Sequence, residues 1–255
     1  MKRMKMIIQI LSFLIFLGCA VYLGNYIYKN YTAQKDINVL RRSVDTADKK
    51  SAADNDKKTA YMPNGMLEKY YSLYKKNNDM VGWVKIDGTE INYPVMYVNN
   101  SNEYYLHRNF EREYSDSGLP FMDKDCNLAK PGDNLIIYAH NMRNGSMFAS
   151  LLKYDDKAFL NEHSEICFDT MYSEGKYRII SVFKTQVGAK NEFKYYNFTD
   201  SQSRADFENY VSAAKRLSIH DIDASAEYGD KLLTLSTCSY NRKNERYVVV
   251  AKKIK

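Results

Sequence analysis

From Met6 to Tyr28 the chain carries no charged residue: Met-Ile-Ile-Gln-Ile-Leu-Ser-Phe-Leu-Ile-Phe-Leu-Gly-Cys-Ala-Val-Tyr-Leu-Gly-Asn-Tyr-Ile-Tyr. As a helix rising 1.5 Å per residue, this run is about 34 Å long, enough to cross the hydrocarbon core of a bilayer. In lipid, a helix is the one way a lone segment satisfies all its own backbone N–H and C=O groups. Lys2, Arg3 and Lys5 precede the run, which keeps the N-terminus inside and sends the remainder outside. Gly18-Cys19-Ala20 offers two rival readings, a lipoprotein-type cleavage at Cys19 or signal-peptidase cleavage among small residues. Either cut leaves an apolar stub through Tyr28, so an uncleaved signal-anchor is favoured. The expected division is a cytoplasmic tail (residues 1–5), a transmembrane anchor (6–28), an extracellular stalk (29–62) and one folded domain (63–255).

Of 255 residues, 45% are hydrophobic, enough for one sizeable core outside the membrane. Tyr is over-used, with 23 against one Trp. That fits half-buried strands, and it also fits binding of an extended polymer. The net charge of +6 is mild and spread. No basic run points to nucleic acid, whereas an anionic surface such as a cell wall suits the charge, as does an ordinary soluble basic domain. Cys19, Cys126, Cys167 and Cys238 form no CxxC, and acidic residues show no calcium-type spacing, so no metal or other cofactor is expected. Cys126 and Cys167 are open to two readings, idle thiols or a disulfide.

The polar, charged stretch from Tyr31 to Ala60 reads as the stalk, helical around Ile37–Val44 and otherwise flexible. Leu67, Tyr70, Tyr71 and Tyr74 recur at helical spacing after Pro63-Asn64-Gly65. Beyond Val81 the period changes. A hairpin is expected over Val81–Ile86 and Glu90–Val95, turning at Asp87-Gly88. Further strands are expected at Leu119–Met122, Leu135–His140, Glu165–Asp169, Tyr177–Val187, Lys231–Thr237 and Tyr247–Lys252. Two helical insertions interrupt them, at Met147–Asn161 and Asp200–Leu217, the second with Phe207, Tyr210, Val211, Ala214 and Leu217 on one face. The fold class that follows is mostly β, a closed or nearly closed barrel with helices on its rim.

The last two strands bound a polar loop, Ser239–Glu245. Cys238 closes one strand and Arg246 opens the other, so antiparallel pairing brings a thiol beside a permanent cation. A cysteine nucleophile ordinarily needs an imidazole. His163 and His220 sit in or beside the helical insertions and read as solvated surface residues, and His107 lies in a loop. His140 ends the apolar strand Leu135–Ala139 and enters the Gly-containing loop Asn141–Gly145, where catalytic groups tend to emerge. Ser236, two residues before Cys238, shares its strand face.

Thr234-Leu-Ser-Thr-Cys238 with Arg246–Ala251, and Tyr138-Ala-His140-Asn-Met with Gly145-Ser-Met-Phe148, resemble the class B sortases from about Leu67 to the C-terminus. Ala139 stands where many relatives carry Gly. The resemblance implies an eight-stranded β-barrel with N-terminal helices and a helical insertion before the Cys strand. It implies a transpeptidase that cleaves an NPxT- or SPxT-like sorting motif of secreted proteins after Thr and passes the acyl group to a peptidoglycan-precursor amine. It also implies roles: Cys238 as nucleophile, His140 as acid/base, Arg246 as stabiliser of the substrate carbonyl. Ser236, Asn102, Leu106, Tyr195 and Tyr196 would line the substrate groove, although loop and core packing explains the last four equally well. Two alternatives stand beside it, a hydrolytic cysteine protease of the cell envelope and a non-catalytic surface binding module.

Overall fold

β-Branched and aromatic residues crowd the segments after Met80, and there the chain forms eight strands: β1 (Met80–Lys85), β2 (Asn92–Met96), β3 (Phe121–Met122), β4 (Asn134–Tyr138), β5 (Glu165–Thr170), β6 (Lys176–Gln186), β7 (Leu232–Cys238) and β8 (Glu245–Lys253). The computed structural model describes residues 2–53, 61–127, 129–239, 242 and 244–255. Residues 54–60 of the expected stalk, and 240, 241 and 243 of the loop between the last two strands, lie outside the described residues. The strands close in the order β1-β2-β3-β4-β7-β8-β6-β5, and β5 returns to β1 with Phe168 opposite Val84. Closure gives each of these described strands a neighbour on both sides.

β7 and β8 are buried along most of their length, which is why both read as nearly unbroken runs of Leu, Val and Thr. The buried hydroxyls of β7 have partners, as burial demands. Thr234 Oγ1 donates to Asn134 Oδ1 at 2.9 Å, and Thr237 Oγ1 to the Ala139 carbonyl at 2.7 Å. Helix α4 (Arg204–Leu217) starts where the Ser203 hydroxyl accepts the Asp206 N–H, an ordinary N-cap. Phe207, Tyr210, Val211 and Ala214 then pack with Ile180 and Phe183 of β6, Leu232 of β7, and Val248 and Val250 of β8.

The N-terminal helix α1 runs unbroken from Lys2 to Ala53, so the part of the expected stalk through Ala53 is helical throughout. Its residues divide between two compact units, Met1–Val39 and Leu40–Lys255. In the first, the apolar side chains from Met4 to Tyr28 are exposed, and the helix is long and apolar enough to cross a membrane. In the second, Leu40 and Val44 are buried. The helix expected after Pro63 is α2 (Glu68–Lys76), which buries Tyr70 and Leu73.

Two expectations need correction, and one open choice is settled. The insertion at Met147–Asn161 is a 3₁₀ helix (Ala149–Asp155) followed by a separate helix α3 (Lys157–Glu162). Asp156 makes the break: its backbone is extended, and its carboxylate caps the new helix by accepting the Ala158 N–H. The strand expected from Leu119 begins only at Phe121, because Pro120 has no N–H for the ladder and offers only its carbonyl, to Met96 N at 2.9 Å. Cys126 and Cys167 are free thiols.

Candidate active site

Cys238 and Arg246 are direct partners in the antiparallel register of β7 and β8. On its other side β7 runs parallel to β4, with Tyr138 paired to Ser236 and the Ala139 N–H donating to the Ser236 carbonyl at 3.2 Å. His140 and Cys238 each follow that pair by two residues, so they leave the sheet on neighbouring strands about 4.8 Å apart. The expected strand Leu135–His140 ends at Tyr138. His140 thus stands at the start of a loop.

That loop is tied down at its neck. Phe148 N–H donates to the His140 carbonyl at 2.9 Å, and Asn141 bridges to Met147. Gly145 turns the chain with φ of 84°, a conformation that suits a residue without Cβ. Asn141 Nδ2 donates to the Cys238 carbonyl at 3.1 Å, which joins the end of β7 to the residue after His140.

The His140 ring is held from a third segment, its Nε2 lying 2.9 Å from the Leu106 carbonyl oxygen. Nε2 is then the N–H of the neutral ring and Nδ1 its free acceptor. Gly118 makes room for this carbonyl: a Cβ there would stand 2.2 Å from Leu106 O. Burial is the main cause that holds the imidazole below its ordinary pKa. The Leu106 carbonyl opposes it, and His107, with its ring centroid 5.3 Å away, acts with it. His140 is neutral at rest near pH 7.

The other groove candidates fall into two places. Ser236 is fully buried, and its hydroxyl shares a 2.6 Å hydrogen bond with the Tyr195 phenol. Burial pushes that phenol up to about 12, and both Arg246 and Cys238 act on it electrostatically. Tyr196, partly buried against the core, donates to Glu192 at 2.9 Å. Across the site, Asn102 uses both ends of its amide, donating to Asp123 Oδ2 at 3.2 Å and accepting the Lys124 N–H at 2.6 Å. Asp123 also accepts the Tyr138 hydroxyl at 2.7 Å. Leu106 reaches the site through its carbonyl.

His163 and His220 are not the solvated residues expected from sequence. His163 Nδ1 lies 2.8 Å from the Asp87 carbonyl, and His220 Nε2 lies 2.7 Å from that of Tyr154. Both are pinned and partly buried. Sequence reading missed Asp123 and Asn141; only the place of Asn141 directly after His140 could have flagged either. A thiol flanked by a neutral imidazole and a fixed cation can perform acyl transfer.

A sortase-domain match spans residues 84–254. Sortase B of Listeria monocytogenes is 34% identical over 199 residues, covering 78% of each chain. Sortase B of Staphylococcus aureus is 36% identical over 188 residues, covering 73% of this chain and 75% of the relative. The Staphylococcus aureus sortase B–substrate complex superposes with a TM-score of 0.77 at 30% identity, covering 89% of this chain and 99% of its own. Barrel and matches together define a cysteine transpeptidase of the cell envelope that attaches proteins to the cell wall. The chain belongs to the sortase family, in class B.

Proposed function

We propose that Cys238, His140 and Arg246 carry a transpeptidation that joins secreted proteins bearing an NPxT- or SPxT-like sorting motif to a peptidoglycan-precursor amine. The observation that carries this reading is the position of Cys238, register partner of Arg246 on one side and neighbour of His140 on the other. His140 takes the proton of the Cys238 thiol, the thiolate attacks the carbonyl carbon of the motif's Thr, and the Arg246 guanidinium donates to the oxyanion that develops. The C–N bond breaks as protonated His140 gives its proton to the leaving amine, which leaves a thioester on Sγ. The acceptor amine then attacks that carbonyl, the C–S bond breaks, and His140 takes the surplus proton.

Ser236, Tyr195 and Tyr196 form one side of the motif groove in this reading, Asn102 and Leu106 the other. With Ser236 held by Tyr195 and the Leu106 carbonyl held by His140, these residues shape the groove more than they donate to the motif. The apolar part of α1 anchors the protein in the cell membrane in a single pass. Lys2, Arg3 and Lys5 lie on the cytoplasmic side, and the catalytic domain of residues 63–255 lies outside, with residues 29–62 as its stalk.

The test incubates the detergent-solubilised chain with a library of motif peptides, with and without an amine, and reads the products by mass spectrometry. Amide products that need Cys238 are expected. Carboxylate products alone, unchanged by amine, would replace transpeptidation with hydrolysis.

A further inference from the structure

From Leu40 onward α1 belongs to the same compact unit as the barrel, and Arg41 is bound to β2. Its Nε donates to the Asn92 carbonyl at 2.9 Å and one terminal nitrogen to the Glu90 carbonyl at 2.8 Å. The guanidinium lies over the Tyr93 ring, 4.9 Å from its centroid. Tyr93 is fully buried in β2, so its phenol cannot touch a substrate. Its oxygen instead accepts the Met147 N–H at 3.0 Å.

Met147 is the far end of the His140 loop. It has a φ of 56°, unusual for a residue with a side chain. It bridges to Asn141, and the next residue, Phe148, bonds back to the His140 carbonyl. The phenol of Tyr93 therefore ties the strained closing residue of the loop whose first residue is His140. Loosening that bond frees the loop without removing any group that faces the thiol.

We infer that Tyr93 is a positioning residue for His140, and that Arg41 of the N-terminal helix holds Tyr93 in place, so that the last turns of the tether are part of the catalytic apparatus. This rests on the reading of His140 as the acid/base. Positioning a reacting group within about 0.5 Å matters for turnover even when the residue responsible is remote from the chemistry.

The experiment uses the full chain in detergent. Tyr93→Phe keeps the buried ring and removes the acceptor oxygen. Turnover should fall about tenfold, the size expected of one hydrogen bond, with the Michaelis constant for the motif peptide within twofold and alkylation of Cys238 by iodoacetamide unchanged. Hydrogen exchange at the Met147 and Phe148 amides should quicken at least about tenfold, while β7 and β8 stay protected. Arg41→Met should lower turnover in the same direction, and the double variant should be no slower than Tyr93→Phe alone, because Arg41 acts through Tyr93. Turnover of Tyr93→Phe within twofold of the parent overturns the proposal, and so does a double variant in which the two losses multiply. Should Tyr93→Phe fail to fold, Arg41→Met decides by the same turnover and exchange readings. Full activity in His140→Ala would instead remove the reading beneath the proposal, whereas exchange at Met147 tests the Tyr93 bond without it.

Discussion

Asn141 Nδ2 donates to the carbonyl of Cys238 across 3.1 Å, so the strand end that carries the thiol and the loop that carries the imidazole share one hydrogen bond. Asn141 is itself buried, and its backbone is held by the bridge to Met147. Removing this donor leaves the Cys238 carbonyl without it in a partly buried place. Asn141→Ala is expected to cost about 1–3 kcal/mol of stability, read from urea denaturation. Turnover should fall further than the stability loss explains. Unchanged turnover would mean that thiol and imidazole are held independently.

Cys238→Ala tests the nucleophile. The thiol is half-buried at a strand end, where it adds little packing. Product formation should vanish, while the melting temperature stays within about 2–4 °C of the parent, the shift that roughly 1 kcal/mol causes in a domain of this size. Activity near the parent level would pass the role to Cys126 or Cys167. Neither suits it, since burial pushes the Cys126 thiol up to about 12 and raises that of Cys167 as well.

Arg246 separates charge from geometry. Arg246→Lys keeps the cation and loses the planar fork. Turnover is expected to drop about 10²–10³-fold, as for loss of one oxyanion donor, with the Michaelis constant little changed. Were Arg246 needed only to hold peptide, the Michaelis constant would rise at steady turnover. Were it needed to ionise the thiol, iodoacetamide would alkylate Cys238 much more slowly in Arg246→Ala.

The depressed pKa of His140 has a sign for stability. In the folded chain its imidazole binds a proton less readily than in the unfolded chain, chiefly because burial disfavours the cation. Between the folded value and the ordinary value of about 6.5, the unfolded state holds more protons, so stability rises with pH through that window. The neutral ring's contribution is complete above it and is lost as pH falls. Urea midpoints from pH 7.5 down to 5 should therefore decline more steeply in the parent than in His140→Gln. Parallel slopes would show that another group governs the acid side.

Part of this architecture is legible in the chain itself. The chargeless run Met6–Tyr28 can only be a helix in an apolar medium, because no other local structure satisfies its backbone there. The strands announce themselves by their β-branched and aromatic content, and α4 by its apolar stripe. Antiparallel pairing across one loop is a local matter, so Cys238 could be set opposite Arg246 from sequence order alone, as the register bears out. The residues that resemble the sortases lie in these same local stretches.

The place of His140 beside Cys238 required the fold. β4 and β7 are far apart in the chain, and their parallel pairing follows from how the whole barrel closes. Local pattern carries no information about which distant strand becomes a neighbour; that is settled by which arrangement buries all eight strands at once. The same holds for the Leu106 carbonyl on His140, the Tyr195 phenol on Ser236 and the Tyr93 phenol on Met147. In sequence, Leu106 reads as a groove or packing side chain and Tyr93 as a strand residue, because backbone carbonyls have no sequence signature and a phenol on an apolar strand reads as bulk. Sequence determined which groups the protein has for chemistry and on which local elements they sit. Tertiary structure alone decided which of them meet, because meeting depends on closure of the barrel and on the burial that makes an unpartnered polar atom costly.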